Sequence, residues 1–74
     1  MTVYENVTTL TKNYIGPAAE DFLTHQCRLF LKIEAKSMDA KHLPELAKCV
    51  EVGAMRFLNE TKSKELAGKI ARLN

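Results

Sequence analysis

The sequence contains little cysteine, glycine or proline, and each shortage excludes a class of protein. Two cysteines, Cys27 and Cys49, allow at most one disulfide. Small secreted scaffolds depend on several disulfides, so we predict reduced thiols and a cytoplasmic protein. The three glycines are isolated and form no glycine-rich loop that holds a phosphate. The sequence also lacks the roughly 20-residue apolar run of a membrane span, and its first residues do not resemble a signal peptide.

The composition is that of a small folding domain. The chain has 74 residues, of which 46% are hydrophobic and 27% are charged. We therefore predict one helical domain over residues 1–74. A core of this size contributes only about 3–5 kcal/mol to stability, so association with another chain is a common supplement.

The net charge gives weak support for nucleic-acid binding. Eleven basic residues against nine acidic ones leave a formal charge of +2, with a pI near 8.6. Dedicated nucleic-acid binders carry a clustered basic surface and a pI above about 9. Lys62, Lys64, Lys69 and Arg72 make the last segment basic, but Glu65 interrupts them. A nucleic-acid-binding helical protein is therefore kept only as an alternative.

The spacing of apolar residues predicts an all-α fold, a compact bundle of about four amphipathic helices. The first helix is expected within residues 1–15, although its valines and threonines favour strands and leave a strand or frayed coil open. The Gly16-Pro17 pair predicts a break between helices. The second helix is expected over 17–33, with a polar connector over 34–41.

The last two helices are predicted over 43–58 and 62–73. The third has a strong apolar stripe, and its unbroken spacing argues against a helix-turn-helix motif, which needs a tight turn. Asn59 is expected to end this helix in a left-handed conformation. Thr61 is expected to cap the next helix.

The second helix places a polar residue on its apolar side. At 100° per residue, that side carries Ala18, Ala19, Phe22, Leu23, Cys27, Leu29, Phe30 and Ile33. Gln26 falls in the middle of them, where an unpaired amide would cost about 1–3 kcal/mol. We predict a hydrogen-bond partner, either a backbone carbonyl, another side chain such as the Tyr14 hydroxyl, or the Gln26 of a second copy. A position at the wetted edge of the core is the alternative.

No arrangement of residues predicts catalysis, a cofactor or a metal. The candidate metal ligands are His25, Cys27, His42 and Cys49. On a helix, His25 and Cys27 point about 200° apart. His42 and Cys49 lie about 10 Å apart along a helix, which is too far for one zinc ion. We therefore predict a protein that is not an enzyme, has no catalytic residues and binds no metal or cofactor, and no small-molecule substrate is evident from the sequence.

Surplus apolar residues on the third helix predict a protein interface. Cys49, Val52 and Met55 lie away from its main stripe, among charged residues. Together with Gln26 they are the candidate interface, serving either a homodimer or another protein. The alternative is that they are isolated exposed apolar residues, which are common.

Two short segments resemble a known domain. They are Tyr14-Ile15-Gly16-Pro17-Ala18-Ala19-Glu20-Asp21-Phe22-Leu23 and Leu43-Pro44-Glu45-Leu46-Ala47. They resemble a small bacterial helical domain of unknown function with a Tyr-Ile-Gly-Pro helix junction, found within or beside signalling proteins. This resemblance implies an accessory or interaction module in a bacterial assembly or signalling system, and it implies no catalytic residue.

Overall fold

The computed structural model describes residues 2–73, and all regular structure in that range is helical. The α-helices are α1 (Val3–Ile15), α2 (Ala19–Gln26), α3 (Leu43–Gly53) and α4 (Glu60–Ala71). A π-helical stretch, the π segment (Cys27–Leu31), continues α2, and 3₁₀ turns occupy Gly16–Ala18, Ala35–Ser37, Ala40–His42 and Ala54–Arg56. The prediction of an all-α fold is confirmed for the described residues.

Helix α1 forms although threonine and valine are poor helix formers. The Thr2 hydroxyl accepts a hydrogen bond from the Glu5 backbone N–H at 3.1 Å, and the Thr2 N–H donates to the Glu5 carboxylate at 2.8 Å. This capping box stabilises the first turn, and burial of one face adds to it, because Val7 and Thr11 are fully buried. The strand and coil alternatives are wrong from residue 3 onward; residue 1 lies outside the described residues.

The π segment changes which side chains of the second helix are buried. A π turn holds one more residue than an α turn, so the α-helical spacing used for the prediction fails after Gln26. Leu29 and Phe30 are 54% and 56% exposed, so their predicted place in the core is wrong. The helix also ends earlier than residue 33, because Lys32 adopts a left-handed conformation with φ 58°.

The junction between α3 and α4 differs from the prediction in two ways. Helix α3 ends at Gly53 and continues as a 3₁₀ turn, so an α-helix does not extend to residue 58. Asn59 is extended rather than left-handed, and its side chain accepts a hydrogen bond from the Lys62 N–H at 2.8 Å. Asn59 is therefore the N-cap of α4, and Thr61, the predicted cap, lies inside that helix.

One core joins all of these helices. Its fully buried large side chains come from α1, α2, α3 and α4, namely Val7, Leu23, Leu43, Leu46, Val50, Leu66 and Ile70. The most extensive packing is between α3 and α4. The radius of gyration is 10.6 Å. Over residues 2–73, none of the helices is long and apolar enough to cross a membrane.

Candidate functional site

A groove of about 490 Å³ separates the end of α2 and the π segment from α3. One wall consists of His25, Gln26, Leu29 and Phe30. The opposite wall consists of Lys48, Cys49, Val52, Gly53 and Arg56. We call this feature the groove. Its volume lies within the range of about 300–1,000 Å³ that is usual for binding sites.

Large apolar side chains stand exposed along the groove. Val52 is 71% exposed on one side, and Leu29 and Phe30 are more than half exposed on the other. Met55 and Phe57 are also exposed, although neither lines the groove. Phe57 packs edge-on against Phe22, with ring centroids 5.7 Å apart. The exposed apolar surface is therefore wider than the groove.

The walls lie close together where Gln26 meets Gly53. A Cβ atom at Gly53 would lie 2.6 Å from Gln26 Nε2 and 3.1 Å from Phe22 Cε1. Real Cβ atoms essentially never lie within 3.0 Å of such neighbours. Because glycine has no Cβ atom, the Gln26 amide can occupy this space.

The burial of Gln26 is confirmed, but its hydrogen-bond partner is not found. Gln26 is only 6% exposed, although it forms part of the groove lining. Within the described residues, its Oε1 atom is buried without a hydrogen-bond partner. The Tyr14 hydroxyl donates instead to the Glu65 carboxylate, so the suggested Tyr14–Gln26 contact is wrong.

The rim of the groove is basic. His25, Lys48 and Arg56 line it, and no acidic residue does. Within residues 2–73, none of these three side chains takes part in an ion pair. Asp21 lines an adjoining depression that shares His25 and Arg56. The groove therefore combines an apolar interior with a rim of unpaired basic groups.

The two thiols differ in accessibility. Cys27 is fully buried, as predicted. Burial is the main reason that the pKa of its thiol is raised to about 11, and the nearby Cys49 is the second. Cys49 is half-buried in the groove wall. Burial raises the pKa of its thiol, and the negative charge of Glu45 raises it further. Both are free thiols. Because only a thiolate is strongly nucleophilic, Cys49 acts at neutral pH as a small apolar residue of the wall.

His42 has a structural role. Its Nδ1 accepts a hydrogen bond from the Asp39 backbone N–H at 3.1 Å, and the Asp39 carboxylate accepts one from the Lys41 N–H. These bonds fix the turn before α3. Within the described part of the chain, no three His, Cys, Asp or Glu side chains are grouped so as to hold a metal ion.

The groove brings together most of the predicted interface residues. Gln26, Cys49 and Val52 line it, whereas Met55 is exposed beyond it. Sequence reasoning missed Leu29 and Phe30. The available signal was the run Leu29-Phe30-Leu31, because one face of an α-helix cannot bury three consecutive large residues. The basic rim residues His25, Lys48 and Arg56 lie outside the apolar stripes of their helices, and the spacing alone does not bring them together.

Comparison with known proteins adds no relative. No family model, curated protein or solved structure matches this chain. The proposals that follow therefore depend on the groove.

Proposed function

We propose that this protein is a protein–protein interaction module that binds its partner in the groove. The exposed apolar surface around the groove carries this proposal. Exposed apolar side chains grouped beside polar ones are typical of interaction sites, and Leu29, Phe30 and Val52 stand more than half exposed next to the basic groove residues. The resemblance at the Tyr14–Leu23 junction supports an accessory role in a bacterial assembly or signalling system, in the cytoplasm.

The helical scaffold supports such a role. We propose that the helices act as one bundle of about four amphipathic helices that holds the two groove walls in place. The shared core, to which every α-helix contributes buried side chains, supports this arrangement. A fixed backbone lowers the entropic cost of binding, since fewer groups become ordered when the partner docks.

Binding fits the chemistry of the groove better than catalysis does. Cys49 is the thiol of the groove lining, and the raised pKa of this thiol keeps it protonated near neutral pH. Catalytic cysteines need the opposite, a lowered pKa in an electropositive site. We therefore propose that the protein is not an enzyme.

Photo-cross-linking tests the proposal. A photoreactive residue at position 52 is compared with one at position 64, on exposed α4 surface outside the groove, in extract of the source organism. We expect a specific adduct at position 52 and none at 64. The Val52→Glu variant carries the photoreactive residue at position 55, because position 52 is occupied by the glutamate. We expect no adduct from this variant. Equal labelling at 52 and 64, with the protein sedimenting as a monomer at high concentration, would leave the exposed side chains as isolated apolar residues.

Nucleic-acid binding is the alternative, and the contacts within α4 weaken it. Lys64 pairs with Glu60 at 3.2 Å, and Lys62 and Lys69 both lie 3.8 Å from Glu65. These pairs reduce the positive field that a phosphate backbone would meet. Binding of random duplex DNA at low salt, falling steeply as salt is added, would favour this alternative.

A further inference from the structure

The two walls of the groove have the form of a trough for a helix. On one side, Cys49, Val52, Gly53 and Arg56 follow at i, i+3, i+4 and i+7, a continuous row along α3 and the turn after it. The π segment turns Leu29 and Phe30 outward to form the opposite side. Grooves of this kind accept an amphipathic helix, whose apolar face lies between the walls.

The secondary structure narrows the choice of partner further. The described residues contain no strand, so a partner finds no open sheet edge on which to add a strand, the other common mode of peptide binding. The exposed apolar side chains extend past the groove to Met55 and Phe57. Phe57 lines the adjoining depression that shares Gln26 and Arg56 with the groove, so a partner that extends past the groove on that side also covers Phe57.

The charge of the rim selects the partner. Lys48 and Arg56 are exposed basic residues on one side, and His25 lies opposite them. In a two-fold symmetric dimer the same surface patch is used by both copies, so groove-to-groove pairing would bring the Lys48 and Arg56 charges of both copies into one interface. Like charges across an interface are unfavourable, and an acidic partner is complementary.

We propose that the groove binds an amphipathic helix of another protein whose apolar stripe is flanked by acidic residues. Its apolar side chains cover Leu29, Phe30 and Val52, and its carboxylates pair with Lys48 and Arg56. This inference rests on the proposed function and names the chemistry of the partner.

Three synthetic peptides of about 16 residues, roughly four turns, test the inference on the whole chain. The first has leucines at i, i+3, i+4 and i+7 with glutamates beside them. The second replaces the glutamates with lysines, and the third is a scrambled version of the first. Binding is measured by fluorescence anisotropy and mapped by backbone amide shifts. We expect the glutamate peptide to shift the amides of Leu29, Phe30, Val52 and Gly53, and to bind at least about tenfold more tightly than the other two.

Charge reversal supplies the second arm. In the double variant Lys48→Glu/Arg56→Glu, the glutamate peptide should lose about tenfold in affinity and the lysine peptide should become the tighter ligand. The matched control is Lys12→Glu/Lys41→Glu, which makes the same change in net charge at exposed residues outside the groove. It should leave the preference for the glutamate peptide intact. Far-ultraviolet circular dichroism confirms that both variants remain helical.

Several outcomes would overturn the inference. They are equal binding of the two charged peptides, shifts outside the groove, or no binding of any peptide at millimolar concentration. Groove shifts with decanoate alone would indicate an amphiphile site. Shifts that depend on protein concentration would indicate a second copy. If position 52 still cross-links to a partner while the peptides fail, the interaction function stands and the acidic helix is wrong.

Discussion

At the scale of single residues, the absence of a side chain at Gly53 lets the Gln26 amide lie close to α3. The Gln26 amide occupies the space where any other residue at position 53 would place its Cβ atom. Phe22 closes the same space from a second direction. The amide is thus held by packing rather than by a hydrogen bond to its Oε1, since that atom lacks a partner in the described structure.

Gly53→Ala should therefore lack the usual gain of alanine over glycine and cost up to about 1 kcal/mol, the low end of overpacking, because the flexible Gln26 amide must move and the Phe22 ring must give by a few tenths of an ångström. Gly68→Ala is the matched control, because its Cβ would meet only Arg72 Nη2 at 3.9 Å. That substitution should stabilise by about 0.4–1 kcal/mol, the ordinary gain of alanine over glycine in a helix. Urea unfolding measures both. If Gly53→Ala also stabilises, the close approach does not constrain the fold.

The two thiols should react at very different rates in the native protein. Cys49 is half-buried at the surface, whereas Cys27 is fully buried with a pKa raised to about 11. A thiol reagent should modify Cys49 first, and Cys27 only as fast as the protein opens. Labelling followed by peptide mass spectrometry checks this order. Cys49→Ser removes the fast phase if the assignment is right, and a fast phase that persists in this variant would contradict it.

At the scale of secondary-structure elements, the start of α4 depends on Asn59. Its side chain accepts the Lys62 N–H and so satisfies one of the unpaired donors of the first turn. Asn59→Ala should cost about 0.5–2 kcal/mol. Thr61→Ala, two residues later on the exposed surface of the same helix, should change stability by less than about 0.5 kcal/mol. Comparison of urea midpoints separates the two residues, and a larger loss at Thr61 would restore it as the cap.

The sequence predicted the existence of the helices better than it predicted their ends. The stripe of α3, from Leu43 through Leu46 and Val50, is buried as its spacing indicates. Asn59 was misassigned because asparagine suits both the end of one helix and the cap of the next. Local sequence does not decide between these roles; the hydrogen bond to Lys62 does.

The groove was only partly predictable for a different reason. Val52 and Cys49 stood out because they interrupt the charged side of a regular helix. Leu29 and Phe30 did not, because their outward direction depends on the π segment, which changes the helical spacing without a proline or glycine to mark it. The basic rim forms only when the second helix packs beside α3.

At the scale of the whole molecule, Tyr14 and Glu65 connect α1 to α4. The Tyr14 hydroxyl donates to the Glu65 carboxylate, and Lys69 Nζ lies 5.3 Å from the Tyr14 ring centroid. The hydrogen bond from Tyr14 is the main reason that the pKa of Glu65 is lowered, and the positive charge of Lys62 is the second. This contact links the first and last helices at the surface, where their shared core ends.

The Tyr14–Glu65 contact should make stability fall in acid. A lowered pKa means that the stabilisation is complete above the unfolded-state pKa of Glu65 and is lost as pH falls through its lower folded-state value. Tyr14→Phe should lower stability at neutral pH and reduce this dependence, because the main cause of the lowered pKa is gone. Urea midpoints from pH 7 downward measure the effect, with Glu60→Gln as a control carboxylate on the same helix. Identical acid profiles for wild type and Tyr14→Phe would contradict this role.

The π segment also affects how this chain would align with its evolutionary relatives. A π turn arises when one residue is inserted into an α-helix without breaking it. Here the π turn is the last turn of the helix, because Lys32 directly after it is left-handed, so a homologue with an α-helical turn at this place would be one residue shorter at the end of the helix, within residues 27–31. In such a homologue the residues after the missing one are rotated, so the aromatic residue equivalent to Phe30 would face inward. Loss of a single residue here would then change which side chains line the groove.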